Sequence, residues 1–431
     1  MRELRTCSSS VLARGMARGV MLAFTAACSA CAAGENGASS GSWVARVDTV
    51  ADTITVTTLG GSEWGAAVLT PELRIGRVDG AEHELFGQVT GIAVGAQGEI
   101  LLYDAQVPAL RKFAADGQYL GTLGRSGSGP GEYAQSDGGL VILGDGRIVL
   151  RDPRNGRLTV FTPDGAHAGQ WPIPSGRFTS TPMVPAADGG FYNPTTERGQ
   201  ASRMMRYAAD GTPLDTVLDP EPRVTTASVR AQVEGARQTW RVPFTPVSLL
   251  EFHPSGYFLT AVSDQYAIDA LRRDGHVVRI RRTDQLNVPV SDEERTAEEQ
   301  RVTTAMRRLD PRWQWNGVPI PRSKPALRAL YAGHDGRIWV LLHQPGEPVP
   351  PDELEPEPGG GAPTPRFREP VVFDVFEEDG RYLGRVSCPI GFSTSPRPVF
   401  RGDYVWAMER DTLGVQQAVR YRITTNKTPV R

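Results

Sequence analysis

Short apolar segments separated by glycine-containing turns recur along most of the chain. The first unit has four such segments, all rich in β-forming residues, at 91–94, 99–104, 109–113 and 118–123. Gln97-Gly98 and Asp116-Gly117 are turn pairs between successive segments. Each segment is too short for a typical helix, and its composition favours an extended strand. The pattern therefore predicts four short strands joined by tight turns.

The four-strand unit recurs five more times, and the last copy is incomplete. In the first five copies the second turn is an Asp-Gly pair, which begins at positions 116, 164, 210, 274 and 379. The first three of these turns are 48 and 46 residues apart, the length of a four-stranded propeller blade, and the longer spacings indicate insertions. The sequence therefore predicts an all-β fold, a six-bladed β-propeller with four-stranded blades.

The incomplete last copy lacks a fourth strand, and the N-terminal region supplies a candidate. Residues 73–77 (LRIGR) resemble residues 122–125 (TLGR) at the end of the first unit. An open ring would leave an unpaired strand edge. We therefore expect the N-terminal strand to close the last blade.

Two segments depart from the repeat. Ser291 and Glu294 have the spacing of a capping box, and apolar residues follow at helical intervals: Val302, Ala305, Met306 and Leu309. This predicts one helical insertion at 291–310, either packed on its own propeller or docking a partner. Residues 345–366 are rich in Pro, Gly and Glu and are expected to form a disordered loop.

The N-terminus has the pattern of an export signal over residues 1–27, because arginines precede an apolar run that ends in small residues. Residues 24–28 (FTAAC) resemble a bacterial lipobox, with Thr25 where an aliphatic residue is usual. We expect lipid attachment at Cys28 and a cell-envelope location. Ordinary signal cleavage, which gives a secreted or periplasmic protein, is the alternative. Residues 28–42 are expected to be a flexible tether, and 43–425 the propeller.

Charge and cysteine usage exclude several classes. The 47 basic and 49 acidic residues give a net charge of −2, which offers no extended surface for nucleic acid. Three of the four cysteines lie in or beside the signal, which excludes a disulfide framework and cysteine-rich metal sites. We expect a monomer that contacts the membrane only through an N-terminal lipid anchor.

Residues 86–133 carry a pattern that resembles NHL-type propeller repeats: Gly-X-Ala-Val, a Gly turn, Ile-Leu-Leu-Tyr-Asp, a third strand ending in Phe, and Asp-Gly. With the link at 124–133 (GRSGSGPGEY), residues 43–425 resemble the bacterial six-bladed β-propeller lipoproteins. The resemblance implies the fold and carries no particular activity.

Two motifs favour structural roles. The Gly-rich stretch 124–131 is followed by a strand and has no Gly-Lys-Ser/Thr, so a turn between blades is expected rather than a phosphate loop. Asp104 and Asp152 follow the second strands of two successive units. Their repetition indicates side chains that accept backbone N–H bonds.

Six-bladed propellers include lactonases and lyases whose metal is held by Glu, Asn, Asp or His from several blades. Here Phe86-Gly87-Gln88-Val89 lacks the Glu expected in lactonases, and four of the six histidines lie in or beside Gly turns. We therefore predict no catalytic residue, no metal ligand and no cofactor.

Loops after the second strands share one rim and hold polar residues that differ between units. This variety favours a binding mouth, and the candidate ligand-binding residues are Arg154, Asn155, Asn193, Glu197, Tyr266 and Glu409. We predict a non-catalytic binding or scaffold protein whose rim receives a protein, peptide or glycan. The alternative is a divalent-metal-dependent hydrolase or lyase of the lactonase-like propeller type.

Overall fold

The computed structural model describes residues 42–173, 178–196, 201–284, 288–351, 353–354, 363–410 and 414–425. The predicted signal, Cys28 and Glu197 lie outside these residues. Within them the secondary structure is mainly β-strand with one α-helix, so the all-β prediction is confirmed. No helix among the described residues is long and apolar enough to cross a bilayer.

Three strands open the described chain: β1 (Val44–Val50), β2 (Thr53–Gly60) and β3 (Ala66–Ile75), followed by a short 3-10 helix (Glu82–Glu84). β1 and β2 form an antiparallel hairpin. All three strands become part of sheets whose other members come much later in the sequence.

Three separate four-stranded sheets follow, and each is an antiparallel meander in chain order. The first comprises β4 (Val89–Val94), β5 (Ile100–Asp104), β6 (Ala109–Phe113) and β7 (Tyr119–Leu123). A link with β8 (Arg125–Ser126) and β9 (Glu132–Tyr133) leads to β10 (Leu140–Ile142), β11 (Ile148–Asp152), β12 (Arg157–Phe161) and β13 (His167–Pro172). The third comprises β14 (Val184–Pro185), β15 (Phe191–Thr195), β16 (Arg203–Tyr207) and β17 (Pro213–Leu218).

The Gly-rich link between the first two sheets is a turn, as its sequence indicated. Gly124 has a φ of +61°, and a Cβ there would lie 2.3 Å from the carbonyl oxygen of Gly131. Only glycine fits such a close approach. The Tyr133 hydroxyl donates to the Leu123 carbonyl and accepts from the Leu110 N–H, so the link is fastened to the first sheet.

The fourth sheet has six strands. After the hairpin of β18 (Ser228–Val233) and β19 (Ala236–Arg241), the meander runs through β20 (Ser248–His253), β21 (Tyr257–Val262), β22 (Ala267–Leu271) and β23 (Val277–Arg282). The early strand β2 pairs in parallel with β23, from Thr53 with Val277 to Thr58 with Arg282, and β1 lies outside β2.

The α-helix α1 (Asp292–Arg307) lies within the predicted insertion 291–310. Its first turn is capped by Ser291, whose Oγ accepts the N–H of Glu294 at 3.0 Å. Val302 and Met306 are fully buried and pack with a small apolar cluster that includes Val229 of β18. The helix therefore packs on its own chain, against the β18–β19 hairpin.

A nine-stranded sheet contains the rest of the chain together with β3. Its other eight strands are β24 (Leu327–Ala332), β25 (Ile338–Leu342), β28 (Val372–Phe376), β29 (Tyr382–Ser387), β30 (Phe392–Ser393), β31 (Val399–Arg401), β32 (Tyr404–Arg410) and β33 (Gln416–Thr425). A separate two-stranded ladder is formed by β26 (Glu347–Pro348) and β27 (Phe367–Arg368). Among the described residues β26 and β27 pair with each other. β26 lies near the start of the predicted loop 345–366 and β27 directly follows it, and residues 352 and 355–362 lie outside the described residues.

The N-terminal strand β3 pairs with the last strand of the chain. The antiparallel ladder places Leu69 opposite Ile423 and Ile75 opposite Ala418, and its first members also pair in parallel with β29. Apolar side chains fill the spaces between neighbouring sheets, and both Leu69 and Ile423 belong to one such cluster. The early strand β3 and the last strand β33 are thus joined in one hydrogen-bonded ladder.

Candidate functional site

The first strands of the successive units surround one cavity of about 880 Å³. Each of these first strands contributes lining residues: β4, β10, β14, β20, β24 and β31. A volume of several hundred cubic ångströms is typical of small-molecule sites. A second cleft of about 490 Å³ adjoins it, and Glu251 and Arg397 line both.

Arg151 and Asp137 form a buried ion pair beside the cavity. The Nε of Arg151 lies 2.9 Å from the Asp137 carboxylate, and the Arg151 side chain is 3% exposed. One terminal nitrogen donates to Asn193 Oδ1 at 3.0 Å and the other to the Thr181 carbonyl at 2.9 Å. Burial lowers the pKa of Arg151, whereas Asp137 raises it. This arginine therefore holds the segment around Thr181 against the second sheet.

Glu251 and Arg397 form the second ion pair. One carboxylate oxygen of Glu251 accepts from Arg397 and from the Ala332 N–H, the latter at 3.1 Å. Burial raises the pKa of Glu251, and Arg397 opposes that shift. The Arg397 guanidinium lies 4.4 Å from the ring centre of Tyr331, and its side chain is 33% exposed. Arg397 is thus fixed by two neighbours while part of it remains open to a ligand.

Asp335 and Glu378 are the other two carboxylates that line the cavity. Asp335 lies 3.5 Å from Arg337 and accepts the N–H of Gly402 at 2.9 Å. Glu378 pairs with Arg272 and accepts the Tyr257 hydroxyl at 3.0 Å. Burial raises the pKa of Glu378, but Arg272, His253 and Tyr257 together outweigh it, and the net pKa is lowered. Every carboxylate that lines the cavity in the described part of the chain is therefore paired with an arginine.

His334 also lines the cavity. Burial, assisted by the charge of Arg401, lowers the pKa of its imidazole to about 4. The ring is therefore neutral near pH 7. No group of three or more His, Cys, Asp or Glu side chains within the described residues has the geometry of a metal site.

Three of the sequence-predicted ligand residues are engaged within the fold. Asn193 lies in β15, where it is buried and accepts from Arg151. Tyr266 is buried, and its hydroxyl donates to Asp374 at 2.8 Å. Glu409 lies in β32, accepts the Tyr421 hydroxyl at 2.9 Å and pairs with Arg74. Asn193 and Glu409 thus lie in strands rather than in the expected loops.

The remaining candidates lie nearer to solvent. Arg154 is exposed, and its guanidinium is 3.5 Å from the Gln135 amide oxygen. Asn155 donates to Asp152 at 2.7 Å and to the Gly127 carbonyl at 3.1 Å. Of the six predicted residues, none of the five described ones lines the cavity.

The repeated aspartates have the turn role that their sequence positions indicated. Asp104 accepts the N–H groups of Gly87 and Gln88 at 2.8 and 2.9 Å. Asp152 accepts the N–H of Ala134 at 2.8 Å. In both units the carboxylate fastens the chain that enters a first strand.

The sequence analysis missed the arginine–carboxylate pairs of the cavity. One signal was present for Arg151, since it directly precedes the repeated aspartate of its unit. Arg397 lies just before the first strand of the last unit, a position that faces the same cavity in this fold. Asp137 lies in the link before β10, and Glu251 lies in β20 of another unit, so the repeat spacing does not indicate either contact.

Comparison with solved structures gives distant similarities. A member of the DUF4221 family from Bacteroides vulgatus is 8% identical with a TM-score of 0.42, over 83% of this chain and 98% of that one. A streptogramin B lyase is 13% identical with a TM-score of 0.37, over 84% of this chain and 100% of the lyase. A luciferin-regenerating enzyme is 10% identical with a TM-score of 0.34, over 79% and 92%. No protein-family model and no curated protein matches the chain.

Proposed function

We propose that this protein is a six-bladed β-propeller of the cell envelope that binds a peptide or glycan at its cavity without catalysing a reaction. The single observation that carries the proposal is the pairing of each described cavity carboxylate with an arginine: Asp137, Glu251, Asp335 and Glu378. The lipid on Cys28 and the export of the chain are part of the same proposal.

The strand order supports six blades. β4–β7, β10–β13, β14–β17 and β20–β23 form four of them, β24, β25, β28 and β29 form the fifth, and β31–β33 with β3 form the sixth. In this arrangement the first strand of each blade faces the axis. The cavity, to which all six first strands contribute, is then the axial channel.

The paired carboxylates favour binding over acid–base chemistry. A general base needs a pKa near the working pH and a lone pair free for the proton that it removes. Glu378 has a lowered pKa, with Arg272 hydrogen-bonded to it. Burial raises the pKa of Glu251, but this carboxylate already accepts from Arg397 and from the Ala332 N–H. Of the arginines that pair with these carboxylates, Arg397 lines the cavity and stays partly exposed, so it is the group left to meet a ligand.

Arg397 is the central binding residue of the proposal. A planar guanidinium can donate two parallel hydrogen bonds to a carboxylate or to neighbouring hydroxyls, which peptides and glycans offer. Glu251 and the Tyr331 ring hold its orientation, so little side-chain entropy is lost on binding. Arg154, exposed near the second sheet, is a proposed outer contact.

The test combines binding with metal analysis. The purified full chain is applied to peptide and glycan arrays, together with Arg397→Lys, Arg397→Ala and the matched control Arg237→Ala, an exposed arginine of the β18–β19 turn region. We expect Arg397→Ala to weaken capture by about tenfold or more, since a charge-assisted hydrogen bond contributes roughly 1.5–3 kcal/mol. Arg397→Lys should bind weakly although it retains the charge, and the control should bind as the parent does.

Two results would contradict the proposal. The first is equal capture by the parent and both Arg397 variants, with folding verified by circular dichroism. The second is a stoichiometric divalent ion in the purified protein together with chelator-sensitive hydrolysis or elimination. That second result would establish the metal-dependent enzyme instead.

A further inference from the structure

Strand β1 is an exposed edge. It is the outermost strand of the six-stranded sheet and, within the described residues, pairs only with β2. Val44, Val47 and Val50 are 53%, 60% and 75% exposed. An unpaired edge that carries apolar residues is a ready template for another strand. The β1–β2 hairpin also extends the sheet by two strands, about 10 Å, beyond β23.

The sequence of β1 is complementary to itself. Residues 44, 46, 48 and 50 lie on one face of the strand, because side chains alternate. When two copies run antiparallel with Val47 opposite Val47, Arg46 of each copy faces Asp48 of the other. In the same register Val44 faces Val50. Opposite charges and β-branched pairs directly across two strands are both stabilising.

We propose that β1 pairs antiparallel with β1 of a second copy of this chain, in a two-fold arrangement centred on Val47. The two six-stranded sheets then form one continuous sheet, and no residue of the cavity takes part. This inference goes beyond the proposed function and is independent of it, since neither requires the other. It also replaces the expectation of a monomer from the sequence.

The charges of β1 have a second explanation, which the experiment must distinguish from pairing with a second copy. Charged residues on an edge strand commonly prevent association. Within one copy Arg46 and Asp48 lie 2.7 Å apart while 66% and 50% exposed, and such surface pairs contribute little to stability. Three exposed valines in the same strand argue against a purely protective role, because a protected edge has no need of apolar side chains. Exchange of charges between the two positions distinguishes the explanations.

The experiment measures mass against concentration for the purified full chain by sedimentation equilibrium. The variants are Arg46→Asp, Asp48→Arg and the double exchange of both residues. In each single variant like charges face each other twice in the dimer, so we expect the dimer to dissociate about tenfold or more readily than the parent. The double exchange restores Asp opposite Arg and should return association to within about threefold of the parent.

A mixture of the two single variants supplies the sharpest outcome. One copy then carries aspartate at both positions and the other carries arginine at both. The mixture should therefore form a heterodimer that is tighter than the homodimer of either variant alone. Arg237→Asp and Asp264→Arg, exposed residues outside β1, are the matched charge controls and should associate as the parent does. A parent that remains monomeric at all concentrations, single variants that associate like the parent, or a mixture that stays monomeric would each overturn the proposal.

Discussion

The ammonium nitrogen of Lys324 lies 2.7 Å from a carboxylate oxygen of Glu294, and the two side chains are 0% and 4% exposed. The same nitrogen lies 3.0 Å from Glu369 and donates to the Gln344 carbonyl at 2.9 Å. Glu294 belongs to α1, whereas Glu369 precedes β28. One buried lysine therefore fastens the helical insertion to the nine-stranded sheet. Only three lysines occur in the chain.

Lys324→Met should destabilise the protein by about 3–5 kcal/mol, because removal of one partner leaves buried charges without compensation. Here two carboxylates lose the same cation. Urea denaturation at pH 7 measures the change. The matched control is Lys112→Met, since the Lys112 ammonium donates a hydrogen bond to the Pro163 carbonyl near the surface. A Lys324 variant as stable as the control would contradict the structural role of this cluster.

The pH dependence of the same cluster has a defined sign. Burial raises the pKa of Glu369, but the hydrogen bond and charge of His343 outweigh it and lower the pKa to about 2. The unfolded carboxyl has a pKa near 4.3. The stabilisation is therefore complete above the unfolded pKa and is lost as the pH falls from about 4 towards 2. Glu369→Gln should flatten the fall in urea midpoint across that window, and a fall as steep as the parent's would contradict the assignment.

Arg151→Met should also destabilise strongly, by about 3–5 kcal/mol, because Asp137 then remains buried without its partner. Arg154→Met, three residues further along and exposed, is the matched control and should stay within about 0.5 kcal/mol of the parent. The loss of bonds to the Thr179 and Thr181 carbonyls should further expose that segment to limited proteolysis. Equal stability and equal cleavage of the two variants would show that Arg151 does not hold this segment.

The ladder between β3 and β33 is tested by a double-mutant cycle. Leu69 and Ile423 face each other in the register and are both buried. Leu69→Ala alone should cost about 2–5 kcal/mol. Combined with Ile423→Val it should show a coupling energy of at least about 0.5 kcal/mol, since residues in contact are not additive. Additive losses would mean that β3 and β33 do not pack together through these two residues. Leu69→Ala combined with the exposed Leu120→Ala is the control that should be additive.

The repeat was readable in the sequence because its signals are local. Glycine turns and the aspartates at 104 and 152 act on backbone within about twenty residues, so spacing alone predicted the strands and the roles of the two carboxylates. The ladder of β3 was also foreseeable, because residues 73–77 repeat a strand ending found elsewhere. Each of these features could be recognised from the sequence pattern of the segments themselves, without knowledge of side-chain contacts between units.

Several side-chain contacts were not readable from the sequence, because they join different units. Tyr266 was taken for a rim residue, yet it donates to Asp374, 108 positions later. Glu251 meets Arg397 across a comparable distance in sequence. A repeat predicts the position of each strand in the fold. It does not predict that an arginine of one unit will pair with a glutamate of another, because the two residues have no fixed spacing in the sequence.

We expect His334 to make the free energy of unfolding depend on pH at values above those at which the carboxylates titrate. Burial, with Arg401 nearby, lowers the pKa of this histidine to about 4, whereas in the unfolded chain it is about 6.5. Between these values the unfolded chain binds a proton that the folded protein does not. The folded state is therefore at full stability above pH 6.5 and becomes less stable as the pH falls towards 4. The effect should reach about 2 kcal/mol at pH 5.

His334→Gln should reduce this decline, because glutamine does not titrate, while every other ionisable group of the cavity remains in place. The free energy of unfolding is measured in urea at half-unit steps from pH 7.5 to 4.5 for the parent, for His334→Gln and for His276→Gln. His276 is exposed, so its variant should follow the parent curve. The comparison rests on the slope and not on the absolute stability, which a polar replacement at a cavity wall can change by itself. Parallel curves for the parent and His334→Gln would show that the imidazole is protonated in the folded protein as readily as in the unfolded chain, and the lowered pKa of His334 would be wrong.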